Sequence, residues 1–445
     1  MLLFISLFVR RLWIVIAVTV LGACATYGDW VGDMEQYIAR DQPGKALAVL
    51  DDRHQPRRDA VLTLLNRAML LRMDGQFAQS NAAFEAAKSL IEQLSAVSVS
   101  EQTGALTIND TLRSYTGDPY EQVLLHVYEA LNYIQLGELD SARVEALQLD
   151  VKLNQLADDG FHEDAFARYL SGMIYEGLHE WDDAMIAYRK SYELYRQYPP
   201  RLAMTVPDFL KQDLVRNARR LGLTDELKQY EHDFGQSAGA ARKQDGHDGE
   251  LIFFLHSGLA PVKHEVISSA ITESGKMVSI AMPVYISRQP HVVAARLLID
   301  DRQVTTQLGE NINTLAIESL DKQTPAIMAR AIARAVVKSK AVSETRKNDD
   351  SLGFLVNVAG VISERADTRS WSTLPNQIGL ARLALPAGQY RMVVELLDAG
   401  GDIVQRKEYN NIDIRAGEEQ FLSLHKVLPA DLIVPESLPY RRRRH

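Results

Sequence analysis

The sequence predicts an α+β multidomain protein in which an α-helical solenoid precedes a β-rich domain. From about residue 30 to residue 233 the chain is dense in Leu, Ala, Glu, Gln and Arg and shows helical periodicity. From residue 250 onward, short apolar runs alternate with Gly, Pro and Asp turns, which is typical of strands. A length of 445 residues allows two or three domains, each with its own core.

The first 24 residues have the pattern of an export signal. Arg10 and Arg11 precede an apolar stretch that ends in Leu21-Gly22-Ala23-Cys24. This stretch resembles the lipobox of bacterial lipoproteins. The resemblance implies cleavage before Cys24 and lipidation of Cys24 by acyl chains such as palmitate. Ala25 implies, by the same resemblance, an outer-membrane location facing the periplasm. An ordinary secretory signal, or a transmembrane helix with two costly arginines inside the bilayer, remains an alternative.

Cysteine usage and charge narrow the possible partners. Cys24 is the only cysteine, and an exported chain either builds disulfides or avoids thiols. The net charge of −9 argues against nucleic acid as a partner. The closing run Arg441–Arg444 opposes this charge, either as a solvated tail or as a contact with anionic lipid.

One residue pattern recurs in the helical half. A turn residue is followed two positions later by an aromatic residue or leucine, and then by small and large residues at fixed spacing. The small residues allow two helices to approach closely. The copies are Gly75, Phe77, Ser80, Phe84, Ala87; Gly137, Leu139, Ala142, Ala146, Leu149; and His179, Trp181, Ala184, Tyr188, Ser191, with a partial copy at Ala46 and Leu50.

This pattern resembles the tetratricopeptide repeat, a helical hairpin of ~34 residues. The resemblance implies stacked hairpins that hold a protein partner in a groove. An unrelated helical solenoid is the alternative. The polar segment from Ser95 to Pro119 is predicted to be an inserted loop.

Chaperone-binding members of that family bind a peptide carboxylate with lysine and asparagine at fixed first-helix positions. That clamp is not expected here. Glu176 and Glu180, beside Asp182 and Asp183, instead form a candidate acidic rim for a partner, unless they are a solvated helix face. The lysine positions hold Arg72, Ile134 and Glu176, and the asparagine positions hold Gln76, Glu138 and Glu180.

The domain boundaries follow from changes in composition. Residues 1–23 are the signal peptide, 24–234 the helical repeats and 235–249 a linker. Residues 250–375 are a mixed α/β domain, 376–430 a small β-sandwich-like module and 431–445 a basic tail. Strands are predicted at Glu250–Leu255, Met277–Ile286, Val292–Ile299, Gly353–Val358, Ile378–Leu385, Gln389–Leu397 and Gln420–Val427.

One helix interrupts these strands. Thr324 is predicted to cap it and Pro325 to begin it. Arg330, Arg334 and Lys338 form a stripe, which either binds an acidic partner or a membrane surface or is solvated. The apolar face is predicted from Ile327, Met328, Ala331, Ile332 and Ala335.

The segment from Ala366 to Pro375 is the most distinctive of the second half. Asp367 is predicted to pair with Arg369, and Trp371 to dock the loop on the sheet, as a structural corner or as a partner site. With the lipobox, the repeats and Gly258–Pro261, this segment is similar to bacterial outer-membrane lipoproteins. Those lipoproteins carry tetratricopeptide-like repeats and a β-rich C-terminal domain.

Few residues in the sequence have the spacing of a known catalytic motif. No metalloprotease, phosphate-loop or paired-cysteine motif is present, and no metal or cofactor is predicted. Four residues of the types that serve as nucleophile, base or metal ligand lie near one another in the sequence: His256, Ser257, His264 and Glu265. We therefore predict a non-enzymatic, lipid-anchored periplasmic scaffold that binds protein partners in cell-envelope assembly or maintenance. The alternative is an envelope enzyme or ligand-binding protein with a site near His256 and Asp367.

Overall fold

The computed structural model describes residues 27–52, 56–101, 113–198, 204–235, 248–271, 277–346 and 365–433. A helical array precedes a β-rich half, as the sequence predicts. Cys24, the predicted signal peptide, the predicted strand Gly353–Val358 and the arginine tail lie outside the described residues, as does most of the predicted linker.

Successive helices of the described array pair into five hairpins. The second helices of three hairpins begin at Phe77, Leu139 and Trp181, at the same position of each predicted repeat copy. The pairs are α1 (Tyr27–Ile38) with α2 (Pro43–Asp51), α3 (Ala60–Met73) with α4 (Phe77–Glu101), α5 (Pro119–Leu136) with α6 (Leu139–Asp158), α7 (Ala165–Gly177) with α8 (Trp181–Gln197), and α9 (Asp208–Arg220) with α10 (Thr224–Phe234).

The small residues of the repeat pattern lie where the two helices of a hairpin meet. Ser80, Ala142 and Ala184 are fully buried. Ser80 Oγ donates to the Ala68 carbonyl at 2.7 Å, which joins α4 to α3. The predicted tetratricopeptide-like packing is therefore confirmed by its contacts. The predicted loop from Ser95 to Pro119 is wrong in its first part, because α4 continues to Glu101.

Ten strands and one long helix, α11 (Ile312–Arg346), form the described β-rich half. Sheet I has the order β10-β1-β7-β6, in which only the β1–β10 pair is parallel. Sheet II is antiparallel with the order β5-β4-β8-β9, and β2 and β3 form a separate ribbon. The strands are β1 (Asp248–Ser257), β2 (Val262–Ile271), β3 (Met277–Ile286), β4 (Ala294–Ile299), β5 (Arg302–Thr305), β6 (Gln307–Asn311), β7 (Gln377–Pro386), β8 (Gly388–Leu397), β9 (Ile403–Ile414) and β10 (Glu419–Lys426).

Strand β1 is the central element of a three-layer arrangement. Its alternate residues Leu251 and Phe253 share a core with sheet II. Ile252 and Phe254 point to the other face and belong to the core of the helical array. A strand covered on both faces needs a continuous apolar run, and that run is why β1 was predicted correctly.

The predicted boundary at 375/376 does not divide the β-rich half. Strand β1 pairs with β7 and β10, and β4 pairs with β8, so both sheets combine strands from before and after that boundary. A sandwich buries an apolar face only when two sheets are complete, and the segment 376–430 alone supplies too few strands. Strands β2, β5, β6 and β9 were not predicted.

The predicted start of the interrupting helix is wrong. α11 begins at Ile312, where Asn311 Oδ1 accepts from the Thr314 amide at 3.1 Å. Thr324 lies inside the helix and donates its hydroxyl to the Leu320 carbonyl at 2.8 Å. Pro325 is therefore also internal.

Candidate functional site

The first helices of the hairpins lie against sheet I. Arg72 of α3 donates to Ser423 of β10 at 3.2 Å. Tyr128 of α5 is 3.2 Å from His256 of β1. In peptide-binding tetratricopeptide proteins, first helices line the groove that holds the partner. The chain's own sheet therefore covers the predicted groove. This corrects the prediction that the groove is open to a partner.

A buried cluster of charges holds this interface together. Arg382 of β7 lies 2.8 Å from Asp213 of α9 and 3.3 Å from Glu176 of α7, and it also pairs with Glu250 of β1. Arg216 of α9 adds a 2.8 Å ion pair to Glu176. Two helices and two strands thus converge on one pair of guanidinium groups.

The acids of this cluster have divergent pKa values. Burial alone would raise the pKa of Glu176, but the charges of Arg216 and Arg382 lower it to about 2. Burial raises the pKa of Asp213 to about 6 and that of Glu419 to about 8, although both arginines oppose the shift. Two cations therefore do not neutralise all four acids, and protons make up part of the difference.

The predicted acidic rim is only partly present. Glu176 is 4% exposed and fully engaged in the buried cluster, so its assignment as a partner-contacting residue is wrong. Glu180 lies nearer the surface, and its carboxylate is 2.8 Å from Arg143.

The segment from Ala366 to Pro375 is attached mainly to the helices. The predicted pair is present, with Arg369 Nη2 2.6 Å from Asp367 Oδ2, and Arg369 also lies 2.7 Å from Asp59. Trp371 is fully buried, with its ring against Phe84 and Tyr128. It therefore docks the loop on α4 and α5, which corrects the predicted docking on a sheet and removes Trp371 from any exposed partner surface.

A buried carboxylate, that of Glu121, also holds this loop in place. Glu121 Oε1 accepts from the Trp371 amide at 2.7 Å. Burial raises the pKa of Glu121 to about 7, with Asp118 adding to the shift and Lys263 opposing it. The loop attachment therefore includes a group that titrates near neutral pH.

The predicted basic stripe on α11 is not uniformly exposed. Arg334 is buried, and Arg330 is half-buried; both have interaction partners. The Lys338 side chain lies outside the described part of the chain. Met328 and Ile332 are exposed, so the predicted apolar face is only partly turned inward. The helix begins at Ile312 rather than Pro325, and its packing against β3 sets its orientation.

The sequence cluster from His256 to Glu265, which the alternative enzymatic function would need, is not assembled in the described structure. His264 is exposed, and Glu265 accepts from the Ala366 amide at 2.6 Å. His256 is buried and stacks on His425, with ring centroids 4.2 Å apart. Burial, with the nearby His425 and Arg72, holds the pKa of His256 well below its usual range.

Three carboxylates lie close enough to suggest a cation site. One oxygen or more from each of Glu85, Glu129 and Glu145 falls within a 4.8 Å cluster. The ammonium of Lys88 lies 3.0, 2.9 and 2.9 Å from these three groups. Lys88 therefore already supplies the positive charge that the cluster requires.

A cleft of about 590 Å³ opens between the first hairpins and strands β8 to β10. Arg72 and His425 line it, whereas His256 and Asp367 do not. The residues predicted for the alternative enzymatic site are therefore not brought together there. The sequence pattern places Arg72 at a clamp position that normally holds lysine; that it forms no ion pair with an acid of the described residues is a tertiary feature.

Comparisons with known proteins find only distant similarities. No family model matches the sequence, and no curated protein matches it. MamA 41-end from Desulfovibrio magneticus RS-1 is 16% identical, with 48% of this chain and 95% of that chain covered and a TM-score of 0.31. A kinesin light chain structure from Podosopora anserina, with nearly identical TPR-like repeats, is 11% identical, with 47% and 93% covered and a TM-score of 0.32.

The apo form of RapI is 11% identical, with 53% of this chain and 60% of that chain covered and a TM-score of 0.37. Similarity at this level carries no argument about function. The hairpins and their contacts define the class of protein: a tetratricopeptide-like repeat array joined to its own β-sandwich.

Proposed function

We propose that the chain is a non-enzymatic, lipid-anchored adaptor that faces the periplasm from the outer membrane. It contacts a protein partner of the cell envelope through the outer surface of its repeats. The supporting observation is an exposed apolar stripe on α6. Val144, Leu147 and Val151 are 52%, 45% and 57% exposed and follow helical spacing.

This stripe is available because the sheet occupies the other side of the array. Among the second helices, α8 contacts sheet I through Tyr195, whose hydroxyl donates to the Gly309 carbonyl at 2.5 Å, whereas α6 exposes Val144, Leu147 and Val151. Apolar side chains aligned on one exposed helix face are a common docking surface for a partner helix or groove. The outer surface, rather than the groove, is therefore where we place the partner.

The proposed anchor would hold the body close to the membrane. In the sequence, Cys24 lies three residues before Tyr27, the first residue of α1. Met34 and Ile38 of α1 are buried in a cluster with Leu259 and Val427. Glu35 of α1 forms a buried 2.9 Å ion pair with Arg288. Across the described residues, no helix has the length and apolarity to cross a bilayer.

Site-specific photo-crosslinking in intact cells tests the adaptor proposal. A crosslinking residue at Leu147 or Val151 should capture an envelope protein, and a double Leu147→Glu, Val151→Glu variant should lose the partner while folding normally. Ile403, an apolar residue of β9 that is 43% exposed, is the matched control for both steps. Equal capture from Ile403, or no capture from α6, would refute the proposed surface.

Fractionation tests the anchor separately. The Cys24→Ser variant should move from the membrane fraction to the soluble periplasmic fraction and lose function while keeping its fold. Retention in the membrane, or full activity of the soluble variant, would contradict the anchoring proposal.

A further inference from the structure

The cleft between the first hairpins and the sandwich has the size of a small-molecule site. Its volume of about 590 Å³ lies within the usual range of roughly 300–1,000 Å³ for ligand pockets. One wall comes from α3 and the start of α4, and the other from strands β8, β9 and β10. Apolar side chains line much of it, including Met73, Phe77, Leu396 and Val427.

Arg72 is the most buried charged residue of this cleft, at 2% exposure. Its guanidinium lies 5.6 Å from the Phe77 ring and 5.5 Å from the Tyr128 ring. It donates to Asn132 and to Ser423, both of which are neutral. Among the described residues, no carboxylate pairs with Arg72, and its Nε has no hydrogen-bond partner.

Other buried arginines of the described structure differ from Arg72 in this respect. Arg288 pairs with Glu35, Arg369 with Asp59, and Arg382 with several acids. A buried cation without an anion is destabilising, and nearby aromatic rings offset only part of that cost. The fold therefore keeps the Arg72 guanidinium buried without an acidic ion-pair partner among the described residues.

A second residue of the cleft has a nitrogen without a described partner. His425 lines the cleft, and its Nε2 has no hydrogen-bond partner among the described residues. Burial and the charge of Arg72 hold the pKa of His425 well below its usual range, so the ring stays neutral. A neutral imidazole can donate one N–H without adding charge.

We propose that this cleft binds the carboxylate of a partly apolar small molecule, with Arg72 as its cationic partner and His425 as a neutral donor. The single guanidinium edge matches one planar carboxylate group. A phosphate dianion would bring a second negative charge, which the cleft disfavours because Lys407 is exposed and the acid Asp74 also lines the cleft. The apolar walls accept the rest of the ligand. At the rim, Lys426 is already paired with Asp41 at 2.7 Å.

Calorimetric titration with hexanoate tests the proposal, using the full-length lipoprotein in nanodiscs and empty nanodiscs as a blank. Hexanoate should bind at least tenfold more tightly than hexanol or hexylamine, which share its chain but not its charge. Arg72→Gln should lower the affinity for hexanoate at least tenfold. Lys407→Gln, which removes an exposed cation from the same cleft, should change it less than threefold.

Thermal unfolding separates a binding role from a structural one. Arg72→Gln should lower the melting temperature only slightly, because the loss of hydrogen bonds to Asn132 and Ser423 is offset by removal of a buried charge that has no described acidic partner. Gln405→Trp adds a large ring at the exposed β9 side of the cleft and leaves Arg72 itself unchanged, and it should also lower the affinity at least tenfold.

Three results would overturn the proposal. They are equal binding of hexanoate and hexylamine, equal losses in Arg72→Gln and Lys407→Gln, or a large fall in the melting temperature of Arg72→Gln. Tighter binding of hexyl phosphate than of hexanoate would overturn the carboxylate assignment.

Discussion

Replacing Arg382 with methionine is expected to destabilise the protein by about 3–5 kcal/mol at pH 8. The Arg382 side chain is 6% exposed and lies within ion-pair distance of Asp213, Glu176, Glu250 and Glu419. Removing one partner from a buried ion pair leaves an uncompensated charge, which costs about this much. Methionine fills most of the volume, so the loss reports on charge rather than on a cavity.

The loss of stability caused by Arg382→Met should depend on pH. Burial raises the pKa of Asp213 to about 6 and that of Glu419 to about 8, from ordinary values near 4. The folded protein therefore holds protons that the unfolded chain has released, and these acids reduce stability as pH rises toward 8. Glu176, with a pKa of about 2, contributes stability that is present above about pH 4.5 and lost as pH falls toward 2.

Loss of Arg382 should raise the pKa values of Asp213, Glu176 and Glu419, because the guanidinium charge no longer favours these carboxylates. At pH 5.5 the acids can take up protons, so the destabilisation should be at least about 1 kcal/mol smaller than at pH 8. The expected pattern is therefore a variant that is rescued in part by mild acid.

Urea unfolding of the full-length Cys24→Ser protein, followed by tryptophan fluorescence, measures both effects. Arg391→Met is the matched control, because Arg391 and its partner Glu408 are 64% and 54% exposed. That surface pair should contribute at most about 1 kcal/mol. A cost below 1 kcal/mol for Arg382→Met, or an equal cost at both pH values, would show that the cluster does not hold the two halves together.

Three further changes probe other parts of the packing by the same unfolding measurement. Trp371→Ala should cost about 3–5 kcal/mol, because a fully buried ring is removed; a loss under 1 kcal/mol would contradict its anchoring role. Glu121→Gln should flatten the fall in stability between about pH 5 and 7, since burial raises the Glu121 pKa to about 7; an unchanged pH profile would count against this. Gly172→Ala should destabilise by about 1–3 kcal/mol, because its new Cβ would lie 2.5 Å from the Tyr188 ring, whereas Gly32→Ala, with no atom within 4 Å, should be neutral or stabilising.

The repeat register was predictable because its causes are local. Gly75, Gly137 and His179 have φ values of +77°, +74° and +62°, and each ends a first helix just before its partner begins. Small residues such as Ala184 are buried where the paired helices meet. Spacing along the chain therefore specified both the turns and the contact positions.

The interrupting helix shows where local rules failed. Thr324 followed by Pro325 is a typical helix start. In the structure the Thr324 hydroxyl bonds to the Leu320 carbonyl, and the proline is accommodated inside α11. Packing against β3 outweighs the local signal, which no pattern within a short window could reveal.

The candidate site depended even more on distant contacts. Arg72 and His425 are far apart in sequence, and only the parallel pairing of β1 with β10 brings His425 beside His256. Neither residue belongs to a motif. Only the tertiary structure shows that no described acid forms an ion pair with Arg72.

The sequence by itself determined the helical repeats, most strands and the predicted lipidation motif, because periodicity, turn residues and a leader pattern act over short distances. Only the tertiary structure decided that sheet I covers the first helices and leaves α6 exposed. Pairing of β1 with β7 and β10 completes a sheet whose second apolar face must be buried, and the first helices bury it. Burial of that face closes the groove. The proposed partner and ligand sites therefore lie on the outer surface and in the cleft beside Arg72.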